Sequence, residues 1–256
     1  MQATLRKCVL SVAAIALFAA PSWGQTMIRT ITRFRVFPGQ TGNYEAAVKE
    51  YNEVLRKAGW PQPMTRWRSY TGPSEYALTT YWSKYADLDK VMLQDPKLKD
   101  YTGQLAATYA RVLACGESAD RIIDEIQADL SILSNEPPPL VRVLRTVVKP
   151  DRVNDFTALL KNEALPAVQK SGAKLYMVSR TRLGGPGTEF RSMVGVDNWA
   201  SLEDGLSVVR RGMSPEKFSS FQQKWGSMVV EYQYDVYRYQ PDLSYIPARP
   251  TATSNR

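Results

Sequence analysis

Residues 28–37 alternate apolar and polar side chains, the two-residue period of a strand with one buried face. Pro38-Gly39 ends the run, and Thr41-Gly42-Asn43 opens a segment where Tyr44, Val48, Tyr51 and Leu55 recur at helical spacing. The pattern predicts a helix to about Ala58, closed by Gly59. Strands are predicted over 64–70 and 76–82, joined by the turn Thr71-Gly72-Pro73-Ser74. A short helical turn follows over 87–93. A long helix is predicted over 96–114, with Tyr101, Leu105, Tyr109 and Val112 on one stripe, and a fourth strand over 120–126.

The same order recurs. Strands are predicted over 141–148, 175–182, 190–196 and 232–239, and helices over 153–170, 202–211 and 213–230. Phe156, Leu159, Leu160 and Ala167 supply the apolar side of the first of these helices, and Pro166 is expected to kink or interrupt it. Ser214 is positioned to cap the last, with Pro215 at its first turn.

Short motifs echo at an offset of about 113 residues. Lys57-Ala58-Gly59-Trp60 returns as Lys170-Ser171-Gly172-Ala173, and Tyr70-Thr71-Gly72-Pro73 as Leu183-Gly184-Gly185-Pro186. Lys84-Tyr85-Ala86-Asp87-Leu88-Asp89 returns as Asn198-Trp199-Ala200-Ser201-Leu202-Glu203, and Ala128-Asp129-Leu130-Ser131 as Pro241-Asp242-Leu243-Ser244. The chain therefore divides into two repeats, 27–133 and 140–245, joined by the Pro-rich linker 134–139 and followed by a frayed tail, 246–256. Each repeat reads strand, helix, strand, strand, helix, strand, the ferredoxin-like split βαβ order. One such sheet leaves a bare apolar face. The two are expected to pack together as a closed or nearly closed pseudo-dimeric α+β barrel.

Residues 1–24 look like a secretory leader. Arg6-Lys7 precedes a short apolar stretch over 9–20, and Ser22-Trp23-Gly24 offers small residues for cleavage. That stretch is too short for a stable span, so an exported, periplasmic or secreted chain without a membrane anchor is expected. Of the two cysteines, Cys8 would leave with the leader, and Cys115 at the end of an apolar helix reads as a buried thiol.

The net charge is +8, but the basic residues are dispersed without a run, which argues against a nucleic-acid surface. The complete absence of histidine removes His-based acid–base catalysis, the Ser-His-Asp arrangement and most zinc sites. No cofactor and no metal site is expected.

The element order, the Gly-Pro hairpin after the second strand, and the opening Tyr85-Ala86-Asp87-Leu88-Asp89 and Trp199-Ala200-Ser201-Leu202-Glu203 resemble the dimeric α+β barrel superfamily. Antibiotic-biosynthesis-monooxygenase-like and NIPSNAP-like domains belong to it. The resemblance implies the fold across 27–245 and admits cofactor-free monooxygenases, isomerases and haem-degrading enzymes. Haem-using members generally rely on a histidine, which this chain lacks.

Strand alternation suggests where a site would lie. Thr32, Phe34 and Val36 share one face, expected against the helices, which turns Arg33 and Arg35 toward the second sheet or its rim. Arg145 occupies the repeated position of Arg33; Arg66 and Arg68 alternate with Trp67, and Arg180 and Arg182 with Thr181. Arg33, Arg35, Trp67, Arg145 and Arg180 are the candidate ligand-binding residues. Such arginines fork onto a carboxylate, phenolate or phosphate while aromatics stack on a ring. Alternatively, they pair with Asp124 or Asp235 across the sheet. Three functions stay open. One is binding of a small anionic or aromatic molecule between the sheets. The others are cofactor-free oxygenation or isomerisation, and a structural or protein-interaction role. Catalytic residues are not named by the sequence, and both a monomeric pseudo-dimer and a homo-oligomer are compatible with it.

Overall fold

The computed structural model describes residues 27–71, 74–89, 95–134, 136–202 and 208–247. The leader, most of the tail, Gly72-Pro73 and parts of both short helical turns lie outside the described residues.

The first half contains β1 (Met27–Val36), α1 (Thr41–Lys57), β2 (Met64–Ser69), β3 (Glu75–Trp82), α2 (Thr102–Ala114) and β4 (Gly116–Ile126). The second contains β5 (Leu140–Val148), α3 (Val153–Leu159), α4 (Leu165–Lys170), β6 (Tyr176–Leu183), β7 (Glu189–Val196), α5 (Val208–Arg211), α6 (Pro215–Met228) and β8 (Val229–Tyr239). All eight strands form one closed antiparallel barrel in the order β1-β3-β2-β8-β5-β7-β6-β4. Within each half the strand order is the same, and β2–β8 and β4–β6 make the two seams. The sheets thus join edge to edge, which removes the open edges a four-stranded sheet would leave.

Helices cover the outside. Tyr44, Val48, Tyr51 and Leu55 are buried from α1, as their spacing requires, and Gly59 closes the helix at φ +65°. On α2, Leu105 and Val112 are buried, but Tyr109 is exposed and Thr108 takes the inward place. In the second half Pro166 interrupts the α-helix, as expected, without ending it. A widened π turn over Leu160–Ala164 joins α3 to α4, with the Leu165 N–H donating to the Leu160 carbonyl. The missing Pro166 N–H is absorbed at that point. Ser214 caps α6 by accepting the Lys217 N–H, with Pro215 at the first turn.

The linker is anchored. Pro138 packs against Gly195, where an added Cβ would meet its ring, and the Pro139 carbonyl accepts the Tyr239 N–H at 2.9 Å. After each half the chain crosses to the other. Leu130 fills the helix-side core of the second half and Leu243 that of the first. Gly184, at φ +81°, turns the β6–β7 hairpin against the Arg121 carbonyl, where a side chain would collide with backbone.

Candidate functional site

Alternation divides β1 as expected. Phe34 and Val36 join the helix-side core, whereas Arg29, Ile31 and Arg33 line a cavity of about 80 Å3 inside the barrel. Trp67, Tyr81, Arg145 and Tyr237 complete its principal wall. The cavity is about half the roughly 150 Å3 at which a dry cavity holds benzene. It suits water or a compact molecule, and an aromatic ring enters only if side chains move.

The arginines inside the barrel are already held by carboxylates. Arg33 donates from Nε to both Asp120 oxygens at 2.8 and 3.0 Å, and its Nε lies 3.7 Å from Glu75. Asp120 raises the Arg33 pKa further. Arg145 donates to Glu189 at 2.6 Å and to Glu231 at 2.7 Å. Below them, Arg29 reaches Asp124 and Ser179, each at 2.7 Å, and Arg191 reaches Asp124 at 2.9 Å and Thr181 at 2.7 Å. Arg191 also pairs with Glu189, so the charges form one chain from the fully buried Asp124 to the exposed Glu231. Burial alone would raise the Asp124 pKa, but Arg29 and Arg191 outweigh it and hold the carboxyl below its ordinary value. Tyr237 is pushed up to about 12 by burial and by Asp235 and Glu75, so it stays protonated.

The predicted ligand set is therefore only partly assembled. Arg33, Arg145 and Trp67 meet at the cavity. Arg35 lies exposed at the rim, 3.3 Å from Glu117. Arg180 is on the other face: Ser179 and Thr181 take the inward positions, and Arg180 donates to the Gly187 carbonyl at 2.7 Å and stacks over Phe190. Placing Trp67 and Arg180 in one site mixed the two faces of equivalent strands. Arg29 and Arg191 also line the cavity and are not among the sequence candidates, although the alternation that selects Arg33 also selects Arg29.

A larger depression lies at the β2–β8 seam. This cleft of about 410 Å3 is lined by Pro137 and Pro139 of the linker, Asp197 to Trp199 after β7, and Arg238, Tyr239 and Pro241 at the end of β8. Trp199 and Tyr70 are 44% and 46% exposed and meet edge to face at 5.1 Å. Arg238 sits 5.1 Å above the Tyr70 ring. In the sequence Trp199 stands out only as part of the repeated motif. The cleft brings together residues far apart in sequence.

Among the described residues, no group of three or more His, Cys, Asp or Glu is arranged to hold a metal, and no helix is long and apolar enough to cross a membrane. A haem does not fit among the described residues. The chain has no histidine to ligate the iron, the barrel cavity is too small, and packed apolar side chains fill the helix–sheet layers.

No protein-family model matches the sequence, and no curated protein matches it. Solved structures do match in fold. A candidate monooxygenase from Fusobacterium nucleatum superposes with a TM-score of 0.60 at 12% identity, covering 84% of this chain and 93% of its own. A second candidate monooxygenase, from Lactobacillus acidophilus, gives 0.57 at 10% identity, covering 86% and 96%. A chlorite dismutase variant from Candidatus Nitrospira defluvii gives 0.53 at 10% identity, covering 85% and 92%. At these identities the likeness is one of fold: the chain has the α+β barrel architecture that these proteins share.

Proposed function

We propose that this is an exported small-molecule-binding protein, formed by tandem duplication of one βαββαβ unit, whose ligand seat is the seam cleft. Export rests on the leader-like residues 1–24, and duplication on the echo at about 113 residues and the shared strand order. The single observation that carries the binding function is the cleft itself. Its volume of about 410 Å3 lies within the roughly 300–1,000 Å3 of small-molecule sites, and it presents an exposed indole. The barrel interior, with its arginines neutralised by its own acids, serves to hold the halves together. Screening small ring compounds of every charge by thermal shift tests this reading. Hits are expected to be lost in Trp199→Ala; hits that survive that change would overturn it.

A cofactor-free oxygenase or isomerase working in the barrel cavity is the second reading. Glu75 favours it: it lies beyond the cavity wall on the same face of β3 as the lining residues Ala77 and Thr79, burial raises its pKa, and it lies 3.7 Å from the lining Arg33, an acid–base group beside a cation. Turnover of a compact substrate that Glu75→Gln abolishes would select this reading.

A further inference from the structure

The two seams of the barrel carry equivalent residues with opposite electrostatics. The strand registers pair Ile28 with Glu125 and Leu140 with Arg238, so Glu125 and Arg238 occupy the same place in the two halves. The motif echo matches Tyr85 with Trp199; the β2–β3 and β6–β7 registers match Arg68 with Arg180, one residue off the echo's own alignment, and two residues further on they set Arg182 against Tyr70. At the β4–β6 seam these three positions satisfy one another. The Tyr85 hydroxyl donates to Glu125 at 3.0 Å, and Arg182 donates to Glu125 at 2.6 Å. At the β2–β8 seam the acid is replaced by Arg238, and Tyr70 and Trp199 replace its partners. Arg238 pairs with no carboxylate among the described residues; its guanidinium rests on the Tyr70 ring. Asp197, the acid lining this cleft, lies 3.6 Å from Lys174.

We infer that the seam cleft selects a planar aromatic ring bearing a carboxylate, the ring lying on Trp199 between the linker prolines and Pro241, and the carboxylate forking onto Arg238. This rests on the seam being the ligand seat. The cation on the rim has the charge such a ligand lacks, and the closed seam shows what a carboxylate does at that position. The prolines fix the walls, so little ordering is needed on binding. A charge-assisted fork adds both affinity and orientation.

The test is calorimetric titration of indole-3-carboxylate and of its uncharged carboxamide into the mature protein, with indole N–H resonances followed by NMR. The acid is expected to bind about tenfold or more tightly than the amide. Arg238→Gln should erase that ratio by weakening the acid far more than the amide, and Trp199→Leu should weaken both probes. Raising the salt concentration should weaken the acid alone in the unmodified protein, a readout that needs no variant. An acid-to-amide ratio unchanged in Arg238→Gln would overturn Arg238 as the seat of the carboxylate. Failure of the acid to bind the unmodified protein would overturn the ligand class. Binding indifferent to Trp199→Leu would overturn the seam as well.

Discussion

The Ser244 hydroxyl accepts the backbone N–H of Arg66 at 2.9 Å, joining the end of the second half to β2 of the first. Ser131 accepts the Val178 N–H at 2.9 Å in the reciprocal direction. Around these bonds Tyr245 bridges Met64, and Ile132 bridges Tyr176. The repeated Asp-Leu-Ser is therefore a clasp: its leucine enters the opposite half's core, and its serine satisfies a buried strand amide.

Leu243→Ala should destabilise the protein by about 2–5 kcal/mol, because a nearly unexposed leucine leaves a cavity the barrel cannot close. The buried Asn52 side chain, which donates to the Leu243 carbonyl at 2.9 Å, holds the segment in place and limits relaxation. Ending the chain before Pro241 should cost more, since Tyr245 is also lost from the core beside Trp60. Urea denaturation measures both. A truncated chain as stable as the full one would show the clasp to be ornamental.

Asp124→Asn should cost about 3–5 kcal/mol, since Arg29 and Arg191 would remain buried without their shared carboxylate. The pH dependence has a definite sign. The folded pKa of Asp124 is lowered, so its stabilisation is fully present above the unfolded value of about 3.9 and is lost as pH falls through the folded value. Glu75 runs oppositely: its pKa is raised, so its contribution is present below the ordinary carboxylate value and disappears as pH rises through the folded one. Thermal melts from pH 2 to 7 should show an acid limb that flattens in Asp124→Asn.

The strands and long helices were legible because each has a dominant period: Phe34 and Val36 against Arg33 on β1, Tyr44 to Leu55 on α1. The echo gave the strand order of both halves. What escaped was set by tertiary pairing. Period alone does not say which face of β6 turns inward, so Arg180 was placed with Trp67. Nor does it say that Arg33 and Arg145 would be matched by acids from neighbouring strands. The seam cleft depends on Pro137, Trp199 and Arg238 converging from separate segments, and no local pattern encodes that convergence.

Cys115 should be inert in the folded protein. It is buried in the first half's core, with its sulfur 3.2 Å from the Arg111 carbonyl. Thiol titration of the chain expressed without residues 1–24, which removes Cys8, is expected to find no reactive group under native conditions and one in denaturant. Rapid native labelling would place the sulfur at the surface.

Arg142→Met should stabilise the protein. Arg142 is buried on the helix side of β5, its Nε has no hydrogen-bond partner, and burial lowers its pKa, with Arg211 adding like-charge repulsion. Its favourable contact is the Tyr234 ring, 5.5 Å away, worth about 2 kcal/mol when desolvated. No carboxylate among the described residues offsets the lost hydration of the guanidinium, a penalty of several kcal/mol. Methionine keeps the unbranched stem that packs against the helices and removes the charge. A rise of a few degrees in the melting temperature is the expected result. A fall would mean that the guanidinium holds the helix layer together through Tyr234, and that the cation is a structural asset without a carboxylate partner among the described residues.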